Sequence, residues 1–296
     1  MNFRHDFAEM ARDELTNYGI NVSKDWSDDS VSLQFFQIKR RHFNSNIPYY
    51  VLYSQELLNK FPNLSPGDQV AIRDIEFRLK TCQTIEPYMS KGINALSIKK
   101  TDYMLKNWGI YHLHLEKAVI DKAYTKPKLL FFQAKGQVVH FIDVKPHPKG
   151  SGWFDRELLE TIYQNWPNLL NFQKDLIPTE TIEDKDVHKL TKNFVTFVPF
   201  HGGALIPSNL GVASSGDSIE AVRMMDNIFN RFALWEKQIE KDEENIRVEI
   251  NCLHHPMPEK LNFSLIIEDN YFVAYEDYAQ LKIRMFAIPR LLQSVK

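Results

Sequence analysis

Residues 109–144 read GIYHLHLEKAVIDKAYTKPKLLFFQAKGQVVHFIDV, and three runs within them decide the expected fold. GIYHLHLE (109–116), KLLFFQA (128–134) and VVHFIDV (138–144) are rich in β-branched, aromatic and aliphatic residues, which suit a pleated surface. Lys135-Gly136 joins the last two and supplies glycine where a tight hairpin needs positive φ. Upstream, TDYMLKNWG (101–109) carries a Thr/Asp cap and a terminal glycine, the signals of a short helix. Downstream, Asp155 opens a helix whose core face is Leu158, Leu159, Ile162, Tyr163 and Trp166, before Pro167. The order helix, strand, hairpin, helix predicts a central antiparallel sheet flanked by helices, an α+β fold.

Working outward, Phe3, Phe7, Met10 and Leu15 have the spacing of an amphipathic first helix. The run VSLQFFQIKRRHF (31–43) reads as a strand with a basic tail, Lys39-Arg40-Arg41-His42, expected to be a solvated strand end. Ser54 to Phe61 predicts a short helix. Ser65-Pro66-Gly67-Asp68 opens a longer one with Ala71, Ile75, Leu79 and Cys82 on one face and Lys91-Gly92 as its stop. TIEDKDVHKL (181–190) is an acidic linker or surface helix, and NFVTFVPF (193–200) a strand. HGGALIPSNLGVASSGDS (201–218) reads as a long loop, a surface lid or a ligand loop facing Ser214, Ser215, Gly216 and Asp217. Asp217 and Glu220 then start a helix to about residue 243, with Val222, Met225, Ile228, Phe232 and Trp235 at core spacing. Runs at 246–252, 262–268, 271–275 and 281–287 predict antiparallel strands. Three regions follow: a mixed 1–100, a histidine-bearing sheet and helix over 101–178, and a second α+β unit over 190–296.

The chain of 296 residues is 44% hydrophobic and 25% charged, which excludes a wholly disordered or collagen-like polymer. Cys82 and Cys252 are its two cysteines, too few for a disulfide framework, so a reducing cytoplasm is expected. Cys252 with His254 and His255 lacks a second ligand pair and reads as a buried thiol rather than a zinc site. The start lacks a signal-peptide h-region, and no run reaches the length of a membrane helix. Net charge is -2, but residues 97–150 alone carry +6, with ten lysines against four acids. Four of the ten histidines fall between 112 and 147. A basic, histidine-rich segment within a near-neutral chain points to an anionic substrate.

In the first strand, alternation places Ile110, His112, His114 and Glu116 on one face and Tyr111, Leu113 and Leu115 on the other. The Leu/Tyr face is the expected core, leaving the histidines open to solvent or substrate. The hairpin register puts His140 opposite Phe131, with Asp143 on the other side, and Val138, Ile142 and Val144 suggest that His140 is partly buried. His147 follows Pro146, where a loop could return it to the sheet. Two chemistries suit the group. Imidazoles that titrate near neutrality can act as general acid and base on an RNA phosphodiester, with Lys117, Lys122, Lys126, Lys128, Lys145 and Lys149 holding phosphate. Alternatively, HxH with Asp143 or Glu116 could hold a metal for hydrolysis, although no standard metal spacing is present. A solvated sheet face, or a non-catalytic module binding nucleic acid or protein, remains open beside both.

The run from the short helix through GIYHLHLE, KLLFFQAKGQVVHFIDVKPH and the next helix resembles the sheet of RelE/ParE-type toxins, within the barnase–EndoU–colicin–RelE group of ribonucleases. It covers about residues 100–170. The resemblance implies His112, His114 and His147 as acid/base residues and Lys128 as a phosphate contact; the reading of the residues themselves adds Lys145, Lys149 and His140 as substrate contacts. The resemblance also implies an endoribonuclease of toxin or phage-defence type, with an RNA substrate, no metal or other cofactor, and an inhibitory protein partner. Residues 97–150 contain no arginine, unlike the strands of RelE-type proteins, so a freestanding or regulated nuclease fits better than a ribosome-dependent one.

Overall fold

A computed structural model describes the chain apart from residues 91, 95–101, 119–127, 148–153, 177–182, 184–185, 188–196, 210, 212, 214, 253–258, 290–291 and 293–296. The described helices are α1 (Phe3–Asn17), α2 (Asp28–Arg41), α3 (Gln55–Lys60), α4 (Pro66–Lys80), α5 (Tyr103–Trp108), α6 (Arg156–Asn165), α7 (Ile219–Lys241) and α8 (Glu243–Cys252). The described strands are β1 (Tyr50–Tyr53), β2 (Ile110–His114), β3 (Lys128–Lys135), β4 (Val138–Pro146) and β5 (Asn171–Gln173). They continue with β6 (Val198–Phe200), β7 (Gly203–Ile206), β8 (Phe263–Glu268), β9 (Tyr271–Glu276) and β10 (Leu281–Ala287). The class is α+β.

Two compact units divide the chain, Met1–Arg40 with Ala221–Ser294, and a second built on Arg41–Glu220. These bounds differ from the three segments drawn from sequence at 1–100, 101–178 and 190–296. The physical reason is an aromatic core: Phe7 meets Phe35, Phe36, Phe229, Phe232 and Phe272 at ring-centroid distances of 5.6–6.1 Å. The first two helices therefore share a core with α7 and the β8–β9–β10 sheet, whose strands pair antiparallel in the order β10-β9-β8.

In the second unit, the main sheet has the order β1-β4-β3-β2. Strands β2, β3 and β4 run antiparallel as expected, and β1 adds a parallel edge against β4. One face packs Leu113, Leu130, Phe132, Val139 and Phe141 on Ala71, Ile72, Ile75 and Leu79 of α4. The opposite face packs Ile110, Leu129, Phe131 and Ile142 with Leu158, Leu159 and Ile162 of α6, and with Phe200 and Leu205. The latter two belong to a small antiparallel sheet, β5-β7-β6. Apolar residues on both faces require cover on both, so the histidine face is a second core rather than an open surface.

Several sequence expectations change. Residues 31–43 are not a strand: α2 runs through Arg41, and its buried Val31, Phe35 and Ile38 repeat at helical intervals. Lys39 and Arg40 are buried rather than solvated, and Lys39 Nζ lies 2.7 Å from Glu14 Oε2. Residues 246–252 belong to α8, where Ile246 and Ile250 are buried one turn apart. Helix α4 ends at Lys80, and Cys82 beyond it is exposed at φ 58, as Cys252 is exposed at the end of α8. The segment 201–218 begins with a hairpin, since His201-Gly202 turns β6 into β7 with φ 46 and 74. Val187 of the expected linker is buried in the second core. Residues 193–196 lie outside the described residues, and the strand expected over 193–200 is described as β6 alone.

Candidate active site

The hairpin turn is Gly136-Gln137, with Lys135 opposite Val138 and Gly136 at φ 63. This sets His140 opposite Gln133, not Phe131. One irregularity then interrupts β4. Phe132 faces Phe141, but Phe131 faces Asp143, so Ile142 is an extra residue. Such a bulge shifts the register by one and turns every later side chain to the other face. Beyond it, Leu129 is opposite both Lys145 and, on the other edge, His114. Alternation from Lys145 therefore carries His147 to the face of His114.

The outcome is a row of three imidazoles. His112 and His114 have ring centroids 5.6 Å apart, and His114 and His147 are also 5.6 Å apart. His147 is exposed, whereas the side chains of His112 and His114 keep 20% and 12% exposure. The row is thus open to solvent at His147, and His114 in its middle is the most covered of the three rings. Each inner ring has its own carboxylate. His112 Nδ1 lies 3.0 Å from Asp102 Oδ2, close enough for charge pairing but off the line of a hydrogen bond. His114 Nδ1 lies within hydrogen-bond distance of Glu116 Oε1, at 3.2 Å.

Local sequence explains both placements. Asp102 is the N-cap of α5, its Oδ1 accepting from the Leu105 N–H at 3.0 Å. Gly109 ends that helix in the left-handed conformation at φ 65, so β2 begins at once and His112 returns beside the cap. Asp102 also acts on Arg41: burial lowers the guanidinium pKa, and the Asp102 charge opposes that shift. After His114 the strand gives way to a 3-10 turn, Leu115–Ala118, which contains Glu116.

The expected phosphate contacts are arranged differently. Lys128 Nζ donates to Asp68 Oδ2 at 2.7 Å, and that carboxylate is 1% exposed. Lys145 Nζ donates to both oxygens of Asp155 at 2.9 Å and to Glu157 at 2.6 Å. Both cations are thus paired with the protein's own acids. Lys122, Lys126 and Lys149 lie outside the described residues. His140 is buried, with its ring 4.8 Å from Trp166 in an edge-on arrangement at an interplanar angle of 65°. The partial burial expected of it is thus complete, at 6% exposure. Burial lowers its pKa, partly offset by a hydrogen bond to the Gln133 backbone.

Searches find no protein-family model matching this chain, and no match among curated proteins or solved structures.

Elsewhere, the glycine-rich segment spends its polar groups on α5. Asn209 Nδ2 donates to Leu105 O, and Lys106 Nζ donates to Gly216 O, both at 2.9 Å. Ser214, His254 and His255 lie outside the described residues. Among the described residues, one group of three His, Cys, Asp or Glu side chains has all its ligand atoms within 4.8 Å, namely His5, Glu9 and Asp28. The histidine row does not converge in that way. No described helix is long and apolar enough to cross a membrane.

Proposed function

We propose that the chain is a metal-independent endoribonuclease in which His114 and His147 serve as the acid–base pair. The observation that carries this reading is the row of rings at 5.6 Å intervals, open to solvent at His147 and backed by Glu116 and Asp102. A neutral imidazole accepts the proton of the 2′-hydroxyl as its oxygen attacks phosphorus. A charged imidazole gives a proton to the departing 5′-oxygen. The balanced products are a 2′,3′-cyclic phosphate and a free 5′-hydroxyl. Histidine suits both steps because its ordinary pKa lies near neutrality. His112, held beside Asp102, packs against His114 at the other end of the row from His147.

The RNA substrate, and a toxin or phage-defence role with an inhibitory protein partner, rest on the resemblance of residues 100–170 to RelE/ParE-type toxins. The excess of lysine in 97–150 supports an anionic substrate. Lys128 and Lys145 are ion-paired with Asp68 and Asp155, and an imidazolium of the row adds positive charge for the phosphate. The metal-dependent alternative draws less support, since the row's donor atoms do not converge on a common point.

Incubating the protein with labelled RNA in excess chelator separates the readings. Cleavage that persists and leaves cyclic phosphate ends agrees with the proposal. Cleavage that stops in chelator and returns with a divalent ion assigns the site to metal chemistry. Binding without cleavage in any buffer assigns it to a non-catalytic module.

A further inference from the structure

We propose that His5, Glu9 and Asp28 form a binding site for a divalent transition-metal ion that ties α1 to α2. This site belongs to the first unit and is independent of the ribonuclease reading. His5 and Glu9 are four residues apart on α1, so they stand one above the other on one helix face. Asp28 is the first residue of α2 and presents its carboxylate to them.

The separations approach those of ligation. His5 Nδ1 and Asp28 Oδ2 are 3.1 Å apart, and one ligand atom from each of the three residues lies within 4.8 Å of the others. Around a tetrahedral ion with bonds of about 2.0–2.2 Å, neighbouring ligand atoms stand roughly 3.4 Å apart. The His5–Asp28 contact is now a hydrogen bond, so an ion takes the place of its proton and widens the pair slightly, while Glu9 swings inward. Its side chain is about half exposed, at 54%. Its one cation contact, Arg12 Nε at 3.3 Å, is long, and Arg12 is held independently by Ser23 O at 2.9 Å.

The frame behind these side chains is fixed. Phe3 and Phe7 of α1 and Val31 of α2 are buried, and the Arg12 contact to Ser23 braces the connection between the helices. A preorganised frame reduces the ordering that metal binding must supply. One imidazole and two carboxylates make a borderline donor set that suits zinc, cobalt, nickel or manganese. Calcium, which takes 6–8 oxygens, is poorly served. A water completes a tetrahedral shell at the exposed side.

The full-length protein, stripped with chelator and titrated with zinc chloride, tests this by equilibrium dialysis and thermal melting. The wild type should take up one tight equivalent and melt at a higher temperature with zinc. His5→Ala and Glu9→Gln should each lose that equivalent and the shift, while melting like wild type in chelator. A Cys252→Ser, His254→Ala, His255→Ala variant should keep both. The proposal is overturned if the wild type binds no zinc, or if the equivalent and the shift survive in His5→Ala and Glu9→Gln.

Discussion

Single residues in this protein have been given partners that lie far away in the chain, and those partners set their roles. Lys128 balances Asp68, sixty positions away, inside the wall between α4 and the sheet. Removing it strands a buried carboxylate, so Lys128→Ala should lose about 2 kcal/mol, less than a fully buried pair because Lys128 is one-third exposed. Urea denaturation at pH 7 checks this, and an unchanged midpoint would return Lys128 to the pool of free cations. His140 makes a pH prediction. Burial depresses its folded pKa below the ordinary 6.5, so the unfolded chain binds the proton more readily. Its share of stability is full above about pH 6.5 and falls as pH drops toward the folded pKa. His140→Phe keeps a ring against Trp166 and removes the titration. It should lose less stability than wild type between pH 7.5 and 5.5, and equal losses would contradict the assignment. The pairing of HxH on one face was legible in sequence because strand alternation is local. Which lysines remain free was not, since Asp68 and Asp155 reach them only through tertiary packing.

At the scale of elements, the readings that held rested on caps and turns. Ser54, Ser65, Asp102 and Asp155 all cap the helices they were expected to open. The failures came from composition. Residues 31–43 look strand-like because aromatic and branched residues serve both periods. The deciding signal was Ser27, whose hydroxyl accepts from the Ser30 N–H ahead of the acidic first turn of α2. In α8, Ile246, Val248 and Ile250 alternate like a strand, yet Val248 is 63% exposed while its neighbours are buried. The bulge at Ile142 was invisible because nothing in VVHFIDV marks a register change, although it decides where His147 points. Gly203 offers a test of the smaller sheet. A Cβ there would stand 2.6 Å from Gln173 O, a backbone atom that cannot turn aside. Gly203→Ala should therefore cost roughly 1–3 kcal/mol by forcing β5 from β7. Hydrogen exchange should show lost protection in β5 and β7 while β2–β4 stay protected; uniform protection would refute the close approach.

For the whole molecule, the +6 of residues 97–150 is partly neutralised within the fold among the described residues. Two of its lysines face acids of the same unit, and the histidines on the same stretch form a half-covered row against a second core. The fold class could be read from order and turns, whereas the two-unit division could not, because α1 and α2 join strands more than two hundred residues later. What the arrangement offers chemically is two neighbouring imidazoles, exposed His147 and His114 with its carboxylate. The most direct test is single-turnover RNA cleavage in chelator by wild type, His114→Ala and His147→Ala, with thermal melting of each. The account predicts cleavage by wild type and a loss of about 10²–10⁴-fold in each variant at nearly unchanged melting temperature. Wild-type cleavage rates in both folded variants would contradict it.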